Sequence, residues 1–287
     1  MISNKRLNAM DRIDNIGGLI IDMDGVLWHG NNPIKGLTEL FSTLRELKVP
    51  FILATNNASL TQQQYVDKLN KMGDSVELDE ILTSSMATAN YLVQHFPPDK
   101  RRIFVIGEDG LRQPLIEHGF NLTDLYQVNQ PDKGILDQGA DIVVSGLDRK
   151  LTWDKLATAT LNIRAGAQFF ATNMDTTLPT ELGEVVGNGG TIAALVAATG
   201  VEPISIGKPE PILYQQALTK LGIQADQTIA IGDRLDTDIL GAVNAGMRSI
   251  MVLTGVSTEH DITEITYQPT WVMADIQEVT QILHQSL

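Results

Sequence analysis

The chain has 287 residues, 43 % hydrophobic and 20 % charged, with a net charge of −14 and no cysteine. That length suits one large or two modest domains with a sizeable core, and the acidic balance argues against a broad basic surface for a nucleic acid polymer or an anionic membrane. The missing cysteines exclude disulfides, thiolate metal sites and cysteine nucleophiles, and fit a cytoplasmic chain.

The opening stretch "MISNKRLNAMDRIDNIGG" lacks the apolar region of a secretory signal. No run reaches the roughly 18 apolar residues of a membrane span. "GGLIID" then reads as a buried strand, and Leu37, Leu40, Phe41, Leu44 and Leu47 recur at helical spacing. "PFILAT" is a second strand. "TQQQYVDKLNKMG" follows as a helix, with Thr61 and Gln64 at capping-box spacing and Gly73 as its stop. The central block alternates in the same way, with strands "RIFVIG", "DIVVSG" and "QFFATN" and helices "SMATANYLVQHF", "GLRQPLIEHG", "TWDKLATATLNIRAG" and "GGTIAALVAATG". Towards the carboxyl end come strand "PISIG", helix "PEPILYQQALTKLG", strand "TIAIGD", helix "LDTDILGAVNAG", strand "SIMVLTG" and helix "DIQEVTQILHQ". This order predicts an α/β protein with parallel sheets covered by helices. The simplest division inserts one α/β unit into another, giving 1–80 and 201–287 as one domain and 81–200 as the second.

Ligands of open parallel sheets bind beyond the carboxyl ends of the strands. Four such ends carry polar groups: Asp22 and Asp24; Thr55, Asn56 and Asn57; Lys208; and Asp233. Carboxylates with water suit Mg²⁺, and hydroxyl, amide and ammonium donors suit phosphate oxygens. Singly, each has a plainer reading. An Asp can cap a turn, "TNN" is a good turn sequence, and Lys208 in "GKPEP" can be a solvated loop lysine. Asp236 and Asp238 after "GD" suit a helix amino terminus. Their conjunction at strand ends, in an order that one sheet can assemble, favours a shared site. The adjacent pair Asp22 and Asp24 also has to be accounted for. Two carboxylates about 4 Å apart repel by about 4 kcal/mol at an effective dielectric of 20.

The motifs "DMDGVLW", "TNN", "GKPEP" and "GDRLDTDI" resemble the four motifs of haloacid dehalogenase (HAD) superfamily phosphatases. With "TSSMATANYL" and "ATNMDTTLP", the likeness extends over nearly the whole chain. It is closest to the subgroup of 4-nitrophenylphosphatases, phosphoglycolate and pyridoxal phosphatases and a bacterial ribonucleotide monophosphatase. The resemblance implies a Rossmann-like parallel-sheet core with an inserted α/β cap domain. It implies an Mg²⁺-dependent hydrolase of small phosphorylated metabolites, with no nucleic acid polymer or membrane as partner, and raises a homodimer paired through the cap. By motif position Asp22 is the nucleophile that forms an aspartyl-phosphate, and Asp24 the general acid and then base. Thr55, Asn56 and Asn57 hold the phosphoryl group, and Lys208 offsets charge on nucleophile and phosphate. Asp22, Asp233 and the Asp24 carbonyl bind Mg²⁺, with Asp238 a further metal partner, and Gly25 allows the turn after the Asp pair.

A charge argument agrees with those roles. With Asp22, Asp24, Asp233 and a phosphate dianion all ionised, Mg²⁺ and Lys208 leave a negative surplus. Protonating Asp24 reduces it, so substrate favours the form that a general acid needs. The chain departs from the subgroup at "EVVGNGG", where Val186 stands in place of a frequent proline. No cap residue therefore takes a firm role, and Asp175 and Leu178 are candidates for specificity. Trp28 either lines the entrance or packs under the cap. Two other functions stay open on the motifs: a phosphotransferase using the same intermediate, and a non-catalytic phosphometabolite-binding regulator.

Overall fold

A computed structural model describes residues 13–126, 139–180 and 182–287. Residues 1–12, part of the stretch read as lacking a signal, lie outside them. The chain forms two compact units. Of the described residues, one comprises 13–55, 62–82 and 208–287, the other 56–61, 83–126, 139–180 and 182–207.

The first unit is built on a six-stranded sheet in the order Trp271–Met273, Arg248–Val252, Thr228–Gly232, Gly18–Ile21, Phe51–Thr55, Ile81–Thr83. The pairings among the first five strands are parallel. Gly18–Ile21 sits in the middle, so its side chains are buried on both faces. That explains a continuous aliphatic run where a half-exposed strand would alternate. The stripe Leu37, Leu40, Phe41 and Leu44 is buried along helix Leu37–Glu46, which packs on the final helix Ile276–Ser286. Helix Pro211–Leu221 has proline at its first position, where a missing N–H costs nothing, and stops at Gly222 with φ 69°. The expected helix "LDTDILGAVNAG" is in two parts, a wide π-type turn Leu235–Ile239 and then Leu240–Asn244.

The second unit has a parallel five-stranded sheet in the order Ile204–Ser205, Gln168–Ala171, Ile142–Ser145, Arg102–Ile106, Asn121–Leu122. Phe104, Ile106, Val143, Phe169 and Ala171 from the strands pack with Ala159, Ile163, Ile192 and Leu195 from helices Trp153–Arg164 and Asn188–Thr199. An antiparallel hairpin, Thr177–Thr180 with Gly183–Val186, completes it.

One expected element differs. "PISIG" does not join the sheet that carries Asp22. Only Ile204–Ser205 is extended, and it pairs with Phe170 and Ala171 in the second unit. The N–H groups of Ile206 and Gly207 continue that pairing to Ala171 O and Thr172 O. A Cβ on Gly207 would lie 2.4 Å from Thr172 O, so only glycine permits the approach. Lys208 is thus the first residue of a returning loop and does not end a strand of the first sheet. No helix among the described residues is long and apolar enough to cross a membrane.

Candidate active site

Register brings the acidic residues of the first unit together. Ile21 pairs with Ile231 on one side and Leu53 on the other, and the Asp22 N–H donates to Ile231 O at 2.8 Å. Asp22, just past its strand, therefore stands beside Gly232 and Asp233 of the next. The π-type turn swings Asp238 back to the same place. One carboxylate oxygen from each of Asp22, Asp233 and Asp238 lies within 4.8 Å of the others, and all three residues are buried.

Lys208 is buried among them. Its Nζ donates to Asp22 Oδ1 at 2.5 Å, Asp238 Oδ1 at 2.6 Å and Ala54 O at 3.1 Å. Asp238 Oδ2 also accepts from the Arg234 N–H at 3.1 Å. Two of the three carboxylates thus pair with one ammonium. Burial pushes the Asp22 carboxyl well above the usual range, and Asp238 and Asp233 add to this while Lys208 pulls the other way. Asp233 is pushed up to about 7 by burial, with Asp238 adding and the Val256 N–H opposing. Burial works against the Lys208 charge, but Asp22 and Asp238 outweigh it and hold its pKa well above the lysine range. The surplus of buried negative charge is what a bound cation relieves.

Two glycines make room. Gly25 has φ 83°, and a Cβ on it would lie 2.6 Å from Asp233 Oδ2. A Cβ on Gly255 would lie 1.8 Å from the same oxygen. The Val256 N–H then donates to Asp233 Oδ2 at 2.7 Å, and Thr254 Oγ1 donates to Gly25 O at 2.7 Å.

Asp24 is half-buried and held by a side chain that sequence reasoning did not assign to it. The Trp28 Nε1–H donates to Asp24 Oδ1 at 2.8 Å. The available signal is the four-residue spacing in "DGVLW", since a buried indole needs an acceptor. Burial draws the nearby Lys68 ammonium below its usual range, against the pull of Asp24. Thr55 is buried at the end of its strand.

Asn56 and Asn57 are grouped with the second unit. There Asn56 Nδ2 donates to the Asp175 carboxylate at 3.3 and 3.4 Å, and Asn56 O accepts from Ser84 Oγ and Asn173 Nδ2, each at 2.7 Å. Asn57 Oδ1 accepts from the Ser59 N–H and Oγ at 3.0 and 2.7 Å. Asn188 ties this region together: it donates to Asn173 O and Ser145 O and accepts from Ser145 Oγ. Of the specificity candidates, Leu178 pairs with Val185 across the hairpin, and Val186, opposite Thr177, is exposed.

A haloacid dehalogenase-like hydrolase model matches residues 19–121, and a HAD-hydrolase-like model matches residues 205–279. An acid sugar phosphatase from Staphylococcus saprophyticus is 35 % identical over 271 residues, 94 % of this chain and 99 % of that protein. The chain belongs to the haloacid dehalogenase-like hydrolases. Another HAD relative, the 5'-nucleotidase YutF of Bacillus subtilis, is 37 % identical over 91 % of this chain and 96 % of its own length. Among solved HAD structures, a 4-nitrophenylphosphatase from Thermotoga maritima superposes with TM-score 0.85 at 32 % identity, covering 96 % of this chain and 100 % of that one. A glycerol phosphate phosphatase from Mycobacterium tuberculosis, in complex with magnesium, superposes with TM-score 0.83 at 34 % identity, covering 95 % and 77 %. The chain is thus a HAD-type phosphatase, an α/β enzyme of the subgroup that carries an inserted cap.

Proposed function

We propose that the chain is an Mg²⁺-dependent phosphomonoesterase of small phosphorylated metabolites that works through an aspartyl-phosphate on Asp22. The carrying observation is the clustering of buried Asp22, Asp233 and Asp238, with buried Lys208 bonded to Asp22 and Asp238. An all-oxygen donor set fits Mg²⁺, which prefers carboxylates and keeps several waters. Asp22 and Asp233 would hold the ion together with the Asp24 carbonyl, and Asp238 closes the acidic set while gripping Lys208. When bound, the ion neutralises negative charge at the phosphoryl oxygens.

The remaining chemistry falls to the chain. A carboxylate oxygen of Asp22 attacks phosphorus. Asp24 protonates the leaving oxygen and later takes a proton from the water that attacks the aspartyl-phosphate. Thr55, Asn56 and Asn57 bind phosphoryl oxygens. Lys208 favours the ionised form of Asp22 and offsets charge on the phosphate. Sugar phosphates, nucleoside monophosphates and short-acid phosphates are the substrate class, in keeping with the relatives' names. The cysteine-free composition accords with a cytoplasmic setting.

The test is a phosphate-release screen over nucleotide, sugar and short-acid monophosphates, with Mg²⁺ and with excess chelator after dialysis. Release that requires Mg²⁺ is expected. Full activity in chelator would overturn the metal assignment, and release from none of these esters would overturn the substrate class.

A further inference from the structure

Trp28 is fully buried, and its indole N–H is spent on Asp24. The contact closes a tight turn in which the N–H groups of Val26, Leu27 and Trp28 approach Met23 O at 3.3, 2.8 and 3.4 Å. The Gly25 N–H returns to Trp28 O at 2.8 Å. The ring is fixed from helix Gln62–Met72. Tyr65 stacks on it with centroids 6.4 Å apart and planes 22° apart. Lys68 Nζ lies 4.1 Å from the Trp28 ring centroid, in cation–π range. Tyr65 and Lys68 are three residues apart and so share one helix face. Packing alone would be met by phenylalanine, whereas this arrangement delivers a donor to one chosen oxygen.

We propose that Trp28 is a positioning residue for Asp24. Its N–H occupies Oδ1 and thereby assigns proton exchange with the leaving group to Oδ2, while Lys68 secures the indole. This inference rests on the reading of Asp24 as the general acid. An indole N–H donates and cannot accept, and an unprotonated oxygen is the stronger acceptor, so the bond at Oδ1 favours Oδ2 as the oxygen that carries the proton. In the step itself, an oxygen of Asp22 forms its bond to phosphorus. The bond from phosphorus to the leaving oxygen breaks with its electron pair remaining on that oxygen. The proton on Asp24 Oδ2 passes to that oxygen and leaves Asp24 a carboxylate still held at Oδ1.

The test compares kcat/KM for glycerol phosphate, whose alkoxide needs a proton, with that for 4-nitrophenyl phosphate, whose phenolate leaves unaided. Wild type, Trp28→Phe, Asp24→Asn and the double variant are measured, with thermal melts to confirm folding. Trp28→Phe is expected to lose about tenfold or more on the alkyl ester and less than about threefold on the aryl ester, within the span of general-acid help. It should add nothing in the Asp24→Asn background, as for two residues that act through one interaction. Lys68→Met should move the same ratio in the same direction by a smaller factor. Equal losses on both esters, no loss, or a fully additive double variant would overturn the proposal. If Asp24→Asn shows the leaving-group bias and Trp28→Phe does not, only the positioning role falls. If Asp24→Asn shows no bias, the general-acid reading falls and the proposal with it. Should Trp28→Phe fail to fold, benzothienylalanine at position 28 exchanges the N–H for sulphur in nearly the same volume and is judged by the same ratio.

Discussion

Lys208 neutralises two buried carboxylates, so its loss bears on the fold as well as the chemistry. Lys208→Met would leave Asp22 and Asp238 without their cation. Removing one partner of a buried pair costs about 3–5 kcal/mol, and the metal-free variant should show that loss in urea unfolding, with part of it recovered in Mg²⁺. Asp22→Asn acts in the opposite sense, because it relieves a cluster already burdened with negative charge. It should stay folded and lose turnover by about 10³-fold or more, a scale familiar from nucleophile removal. Hydrolysis of an ester made chiral at phosphorus with oxygen isotopes should proceed with overall retention, since displacement by Asp22 and then by water inverts twice, and inversion would rule out the covalent route. Gly255→Ala drives a methyl group into the Asp233 carboxylate, where the Cβ would sit 1.8 Å from an oxygen. Its Mg²⁺ affinity, read by calorimetry, should fall by about tenfold or more, as when groups supporting a metal ligand are disturbed. At this scale the positions of Asp22 and Asp233 are legible in the sequence, because each follows an aliphatic run that the sheet sets side by side. The partner of Asp24 is not. A tryptophan after a turn reads as packing until the turn's closure carries its N–H back to a particular oxygen.

The elements follow their signals where local chemistry decides and depart where packing decides. Asp275 caps the last helix by accepting from the Gln277 and Glu278 N–H groups at 2.9 and 3.1 Å. Asp275→Ala should cost about 1 kcal/mol, visible as a lower urea midpoint with activity intact. "TIAIGD" and "PFILAT" are legible as strands from their buried aliphatic runs, whereas "PISIG" offers only three residues between Pro203 and the close backbone approach at Gly207, and the neighbouring sheet claims the first two. The three-residue strands Ile81–Thr83 and Trp271–Met273 are too short for a period to show. Loop 56–61 illustrates the same limit. Gly110 lies so close to it that an added Cβ would fall 2.5–2.6 Å from backbone atoms of residues 58–60. No local pattern announces that contact, which sets Asn56 and Asn57 with the second unit. Within that unit the stretch from Thr172 to Gly190, which holds Asp175 and the hairpin, is the expected seat of substrate choice, since phosphate chemistry is common to every monoester. Exchanging it for a relative's segment should reorder a panel of monophosphates, and an unchanged ranking with the fold intact would count against it.

For the molecule as a whole, a ligand that binds only the folded state raises stability by RT ln(1 + [L]/Kd), about 2.7 kcal/mol at a hundredfold excess over Kd. Mg²⁺ should therefore raise the melting temperature, and Asp233→Asn should abolish most of that rise while leaving the metal-free melt near the wild-type value. Two α/β units are legible from the alternation of strands and helices, since each sheet needs its own cover. The points at which the chain passes between them are not, because no change of composition marks them. The strand that carries Asp22 completes its pairing on one side only with Thr228–Gly232, and Asp22 meets Lys208 across 186 positions of sequence. During synthesis, then, the acidic cluster cannot close until the last third of the chain has been made. A ribosome adding about 5–20 residues per second makes Asp22 early and leaves it without Asp233 and Asp238 for the greater part of translation. A chain cut short before residue 238 would lack Asp238, and one cut before residue 233 would also lack Asp233. Competence to hydrolyse phosphate esters would thus arrive late, since two strands of the sheet and the Val256 N–H that holds Asp233 come later still.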